Sequence, residues 1–417
     1  MITVGIILPE DNASKLIFHT ENNAQYIAKN NNQDIILQPN TTYSILLLQS
    51  NTLQLQCNQD ILAQNINYIS IETLSPCNLD KTKCITWEQI PAGRTFHWCT
   101  SITATFPNNF QVIAQENNLV LVNILELEDY ITCVAVSEMG KDCPTALIQA
   151  QMIVARSWFL AHAEKKHGSL YDVCNDDCCQ RYQGIKQLTN RIIQIAQTTK
   201  DLVLKSAGKI CDTRYHKNCG GLTENAEFVW SNTKESYLQT IMDSPEQLEI
   251  KTPEAWIHSE PNCYCSSQYV PQSALNKYLG YVDTKDNYFR WHLHYSASEL
   301  TELLKSKGLS LQGIVCKLEV LKRGNSFRIT QLKIITNQNE CYILDTEYTI
   351  RKMLHKSFLY SSAFIVEQKE NNFDFYGAGW GHGVGLCQMG ALGMALNHMT
   401  YEEILHHYFL NSEIEKL

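Results

Sequence analysis

The run Leu119-Val-Leu-Val-Asn-Ile-Leu125 constrains the fold of this chain more than any other short segment. It is apolar on both of the faces that a strand's alternation creates, so as a strand it must be covered on both sides. Directly after it, residues 126–139 change period, and Leu127, Tyr130, Ile131, Val134 and Glu138 fall on one helical face. A buried strand feeding into a helix, with helices and hairpins mixed further along the chain, points to an α+β core. Upstream, residues 3–8, 34–37, 43–48, 52–56 and 66–72 read as short strands between turns containing Asn, Gly and Pro. The fold class expected is therefore α+β, with a β-rich region over 1–117 and a core of helices and hairpins over 118–417.

Within that core, Pro144 suits the first position of a helix running through 146–166 to Gly168, with Lys165, Lys166 and His167 in its last turn. A further helix is predicted over 190–200, and Gly208 separates the arms of a hairpin formed by 202–204 and 210–216. Residues 240–370 read as a mixed α/β segment, with a hairpin at 318–332 around Gly324-Asn325. A strand at 374–376, a glycine-rich loop at 377–385 and a helix over 387–397 follow. Thr400 and Glu403 make a capping box for a last helix ending near Phe409.

A formal net charge of -9 argues against a surface built for a polyanion, so nucleic acid is not an expected partner. The longest apolar runs, 45–48 and 119–122, fall far short of the roughly 20 residues that span a bilayer. Residues 1–11 lack the basic leader and long apolar stretch of a secretory signal. The 16 cysteines are spread from Cys57 to Cys387 rather than packed into a small disulfide scaffold, which leaves metal binding and disulfide pairing both open.

Four constellations carry chemistry. Val136-Ser-Glu138-Met-Gly140 ends the first helix, and a carboxylate at the end of an apolar face loses hydration. That raises its pKa and lets it donate a proton near neutrality, as glycosidic cleavage requires; by residue type alone, a Glu beside a turn is more often simply exposed. On the next helix Gln151 and Arg156 interrupt an apolar stretch, so they line a cleft or sit at the helix edge. Asp172-Val-Cys174-Asn-Asp-Asp-Cys178-Cys179-Gln180-Arg-Tyr182, with His216 and Cys219 three apart, offers sulfur and nitrogen ligands for tetrahedral zinc, and disulfide pairing is the competing use. Cys179 or Cys219 beside His216 or His382 would also make a nucleophilic pair, a reading ranked last because the thiols cluster. The glycine-rich loop has no G-x-G-x-x-G register and no Walker lysine, which sets phosphate cradling aside. Its glycines let backbone approach a ligand or another segment, with His382 and Gln388 as polar contacts, and a purely structural tight loop competes evenly.

Taken in order along the chain, these pieces resemble the SpoIID/LytB family, which includes a sporulation glycan-cleaving enzyme and proteins described as amidase enhancers. The matching pieces are Leu127-Glu-Asp-Tyr130 with Ser137-Glu-Met139, then Pro144-Thr-Ala-Leu-Ile-Gln-Ala-Gln151-Met-Ile-Val-Ala-Arg156, then Asp172-Val-Cys174 with Cys179-Gln180-Arg-Tyr182. Tyr215-His-Lys-Asn-Cys219-Gly-Gly221-Leu-Thr-Glu224, Val229-Trp230, and Gly381-His-Gly-Val-Gly385 through Gln388-Met-Gly-Ala391 complete the series. The resemblance is strong over 118–240 and 370–410. Where the family usually has an alanine-rich Lys-Ala-Gln-Ala-Val-Ala-Ala-Arg-Thr-Tyr helix, this chain has Ile148, Met152, Ile153, Ser157 and Trp158, but Gln151 and Arg156 remain.

The resemblance implies a lytic transglycosylase that cuts between N-acetylmuramic acid and N-acetylglucosamine in peptidoglycan strands already stripped of stem peptides by an amidase. Glu138 would be its acid and base, and the product a 1,6-anhydro sugar. Gln151, Arg156, Tyr182, His382 and Gln388 would contact substrate. Zinc near the active site would be held by Cys174, Cys178 or Cys179, His216 and Cys219. A location facing the cell wall, outside the cytoplasm, is expected. The alternative within the same family is a non-catalytic wall-binding protein that stimulates an amidase.

Overall fold

In a computed structural model, strand Asn118–Leu125 is paired on both edges, antiparallel to Ile2–Ile7 and to Asn109–Gln115. The side chains of Leu119, Val120, Leu121 and Val122 are all buried, as the uninterrupted apolar run requires. The structure describes residues 1–417 except 32, 95–98, 163–169, 231–233, 248 and 280–287. The helix-ending signal at Lys165, Lys166, His167 and Gly168 lies outside the described residues.

The central strand belongs to a seven-stranded sheet ordered Val173–Cys174, Ile2–Ile7, Asn118–Leu125, Asn109–Gln115, Tyr68–Thr73, Tyr26–Lys29, Asp34–Leu37. A six-stranded sheet runs Thr100–Phe106, Ile85–Ala92, Lys15–Thr20, Thr42–Leu47, Leu53–Cys57, Asp60–Ile66. Trp87 joins the two sheets' inner faces, its ring 4.7 Å from Phe18 and 5.4 Å from Phe110. The abundant asparagines have a local cause: Asn12, Asn40, Asn51, Asn58, Asn78, Asn108 and Asn117 all have positive φ in the turns between strands. Asn tolerates that left-handed conformation better than most residues.

Residues 34–37 form the strand expected, and the other four predicted strands sit one or two residues from their expected bounds. Strands such as Lys15–Thr20 and Thr100–Phe106 escape a reading of apolar runs because polar residues occupy one face. With 24% helix and 35% strand, the class is α+β with a β-rich N-terminal part.

By packing, the chain forms two compact units, Met1–Lys141 with Phe159–Lys200, and Asp142–Trp158 with Asp201–Leu417. The strands of the first 117 residues and the Leu127–Glu138 helix thus share one unit. That helix is buried around its circumference, with every residue from Tyr130 to Val136 covered, a wider contact than the single face its periodicity predicts. Thr132, Cys133 and Ala135 fill the other sides because they are small.

In the second unit, residues 240–370 resolve into helices and antiparallel sheets. Arg290–Ser296, Asn372–Ala378 and Phe364–Lys369 form one three-stranded sheet, and Val315–Arg323, Ile329–Thr336 and Cys341–Asp345 another. Their apolar faces, with helices Ala297–Ser306 and Glu347–Met353, enclose a core containing Leu300, Leu332, Ile334, Phe364 and Phe375. The capping box at Thr400 and Glu403 is formed and starts the helix Tyr401–Tyr408.

Candidate active site

Glu138 is the last residue of the Leu127–Glu138 helix and is half-buried. Its Oε1 accepts the Arg181 backbone N–H at 2.9 Å. One residue earlier, Ser137 Oγ accepts the Gln183 backbone N–H at 3.0 Å while donating to the Cys133 carbonyl at 2.8 Å. Two amides of one loop therefore tie down the end of the helix. The side chains of that loop strengthen the hold: Tyr130 OH donates to Gln180 Oε1 at 3.1 Å, and Tyr182 OH donates to Asn123 Oδ1 at 2.6 Å. The Tyr182 ring lies 5.3 Å from both Phe106 and Tyr130. Burial, then the charges of Cys179, Cys174 and Glu138, push the Tyr130 hydroxyl up, so it remains a neutral donor.

Arg181 is shared in a second way. Its guanidinium reaches Asp177 with two bonds, at 3.2 and 3.4 Å, while its backbone serves Glu138. Burial raises the Asp177 carboxyl to about 6, with Arg181 opposing the shift and the Glu138 charge adding to it.

The cysteine loop is anchored at both ends. Val173–Cys174 pairs in parallel with Ile2–Ile7, and Asp172 Oδ2 accepts the Thr3 N–H and hydroxyl at 2.9 and 2.8 Å. Asp176 accepts the backbone N–H groups of Gly93 and Arg94, and the Arg94 guanidinium bonds Asp11. Within this frame the sulfur atoms of Cys174, Cys178 and Cys179 all lie within 4.8 Å of one another. Cys174 and Cys178 sulfurs are 2.8 Å apart, and the Cys174 N–H donates to Cys179 Sγ at 3.3 Å. Cys174 is buried and Cys178 exposed, so three convergent thiols with one side open to solvent suit zinc.

The five ligands expected for one zinc site are divided between the units. Cys174, Cys178 and Cys179 gather in the first; His216 and Cys219 belong to the second, where Cys219 meets Asp243, Cys265 and Cys387. Cys219 is 2% exposed among these groups, which does not suit a nucleophile that must reach substrate.

The expected substrate contacts also sit at definite places. Gln151 and Gln388 are brought together, Gln388 Nε2 donating to Gln151 Oε1 at 3.3 Å, and both are buried. Arg156 is fully buried and donates to the Leu202 carbonyl at 2.9 Å, and Tyr182 is fully buried in the first unit. His382 is half-buried, its ring 5.0 Å from Trp230 and 5.6 Å from His216. Its Nδ1 accepts the Val384 N–H at 3.1 Å, which leaves the ring proton on Nε2. Burial first, then the charges of His216 and Arg214, hold its pKa well below the usual imidazole value.

Asp177, Asp243, Cys265 and Cys387 were not singled out by sequence reasoning. Asp177 pairs with Arg181 four residues on, but both lie in a loop where that spacing carries no helical signal. Asp243, Cys265 and Cys387 come from three separate segments, and only folding brings them to Cys219.

Residues 115–215 match the family described as stage II sporulation protein, SpoIID, and residues 224–385 match a domain of unknown function, DUF8618. An uncharacterized protein of Brachyspira hyodysenteriae is 27% identical over 303 residues, covering 72% of this chain and 70% of that protein. The protein named amidase enhancer of Bacillus subtilis is 24% identical over 294 residues, covering 66% of this chain and 38% of its own length.

Proposed function

We propose that this chain, whose residues 115–215 match the SpoIID family, is a lytic transglycosylase of peptidoglycan, with Glu138 as acid and base. The SpoIID match and the amidase-enhancer relative support a role at the cell wall. The observation that carries the finer reading is the mounting of Glu138: a half-buried carboxylate at the end of a helix buried from Tyr130 to Val136, held by the Arg181 amide.

In the reaction, Glu138 gives its proton to the oxygen linking N-acetylmuramic acid to N-acetylglucosamine as the C1–O bond breaks. The resulting carboxylate then takes the proton of the muramic C6 hydroxyl while that oxygen bonds to C1, closing the 1,6-anhydro ring. The sugar supplies its own nucleophile, so the second carboxylate of most glycosidases is not needed. The loop of Arg181 and Gln183 fixes the helix end, and with it the direction of the carboxyl. Cys174, Cys178 and Cys179 would hold zinc, whose contribution there is to brace this loop. His382, neutral and carrying its proton on Nε2, serves as a donor to a sugar oxygen. Gln151, Arg156, Tyr182 and Gln388 act on substrate through the segments they brace, since all four are buried. The substrate is glycan stripped of stem peptides, so a wall amidase works upstream and the chain faces the wall.

Mass analysis of peptide-free glycan strands digested by the parent protein and by Glu138→Gln tests this. Anhydro-ended products from the parent, with a loss of about 10²- to 10⁴-fold in the variant, are expected. Hydrated reducing ends would mean hydrolysis instead. The name of the Bacillus relative favours a second reading, a wall-binding protein that stimulates an amidase; that reading gains if Glu138→Gln stimulates a wall amidase fully and neither protein cuts glycan.

A further inference from the structure

We propose that the second unit contains its own buried structural zinc centre, formed by Cys219, Asp243, Cys265 and Cys387. The four ligand atoms lie within 4.8 Å of one another. Cys219 Sγ is 3.5 Å from Cys265 Sγ and 3.3 Å from Asp243 Oδ2. Zinc bonds of about 2.3 Å to sulfur and about 2.0–2.2 Å to oxygen, in a tetrahedron, put neighbouring ligands about 3.5–3.8 Å apart. The set is therefore already near the spacing that zinc requires. Cys219 and Cys265 are 2% exposed, and Asp243 and Cys387 fully buried. Four protein donors closed off from water make a structural centre rather than a catalytic one.

The groups behind the ligands point the same way. Cys387 Sγ accepts the N–H of Cys219 at 3.2 Å and of Gly390 at 3.3 Å, and Cys219 Sγ accepts the N–H of Gly221 at 3.3 Å. Such amide bonds orient and stabilise thiolate ligands. Asp243 Oδ1 accepts the Tyr408 hydroxyl at 2.6 Å, which turns Oδ2 to the thiols. His216 donates from Nδ1 to the Val384 carbonyl at 3.1 Å, leaving the lone pair on Nε2. That Nε2 is buried with no hydrogen-bond partner among the described residues, on the strand that pairs His216 with Cys387 in register.

The centre also has a structural purpose. Asp243 and Cys265 lie inside the 224–385 segment, whereas Cys219 and Cys387 flank it. One ion would cross-link that segment to the chain on either side.

The full chain is expressed with zinc supplied, and metal content is measured for the parent, Cys174→Ser/Cys178→Ser, Cys265→Ser and Asp243→Cys. Cobalt is then exchanged in to read thiolate-to-metal absorption. The double variant, which disables the loop beside Glu138, should keep one zinc and the cobalt–thiolate band. Cys265→Ser should lose one zinc relative to the parent, and Asp243→Cys, with four donors intact, should retain the parent's content. Absence of zinc from the double variant would overturn the proposal, as would a disulfide of Cys219 with Cys265 or Cys387 in a non-reduced digest. Neither outcome depends on Cys265→Ser folding, and neither involves glycan cleavage.

Discussion

A Cβ placed on Gly385 would stand 2.1 Å from the carbonyl oxygen of Arg214, and the residue's φ is +72°. Both facts forbid a side chain, because the obstacle is backbone and the conformation is left-handed. Gly385→Ala should lower the free energy of unfolding by at least about 1–3 kcal/mol, read from urea melts with an unchanged m-value; an equal midpoint would show that the loop relaxes freely. At Gly383, φ +84°, a Cβ would lie 2.3 Å from the Arg328 guanidinium carbon, a side-chain rather than a backbone obstacle. The glycine spacing was legible in the sequence, and it left open whether a ligand or another segment came close. Arg214 and Arg328 answer for the chain's own segments, and they are far from the loop in sequence. Glu138 was likewise legible as the end of a helix, but its Arg181 partner was not.

The Leu127–Glu138 helix begins without a side-chain cap on its first amides, and Glu128 and Asp129 occupy its first turn instead. Asp129 accepts the Asn108 side-chain amide at 2.8 Å. Burial raises its pKa above the usual carboxylate value, the Asn108 bond opposing and the charges of Glu126 and Glu128 adding. A raised folded-state pKa means that the stabilising contribution is complete below the unfolded value, about 4, and disappears as pH rises through the folded value. The stability of Asp129→Asn relative to the parent should therefore increase from pH 4 toward neutrality. Melting temperatures of both proteins at a series of pH values check this, and a difference that stays constant or shrinks would contradict it. The helix itself was legible from its period, but its burial on all sides was not, because small residues such as Ala135 carry no signal of what packs on them.

For the whole molecule, the two units make a prediction about where damage is felt. Leu332 is fully buried in the core of the second unit, so Leu332→Ala should cost about 2–5 kcal/mol. Hydrogen exchange should accelerate chiefly in Asp142–Trp158 and Asp201–Leu417, the segments of that unit. Equal acceleration over Met1–Lys141 would instead show that the two units unfold as one.

The sequence by itself determined the mixed class, the buried strand with its following helix, the turn-rich β region and the position of Glu138. Each is a local matter of period, turn chemistry or apolar run, and each is written within a dozen or so neighbouring residues. Tertiary structure alone decided how the cysteines divide. Cys174, Cys178 and Cys179 are neighbours in the chain, but Cys219 finds Asp243, Cys265 and Cys387 from segments up to 168 residues away. Their pairing follows from sheet register and loop packing, such as the alignment of His216 with Cys387 in parallel strands, and no local pattern encodes it.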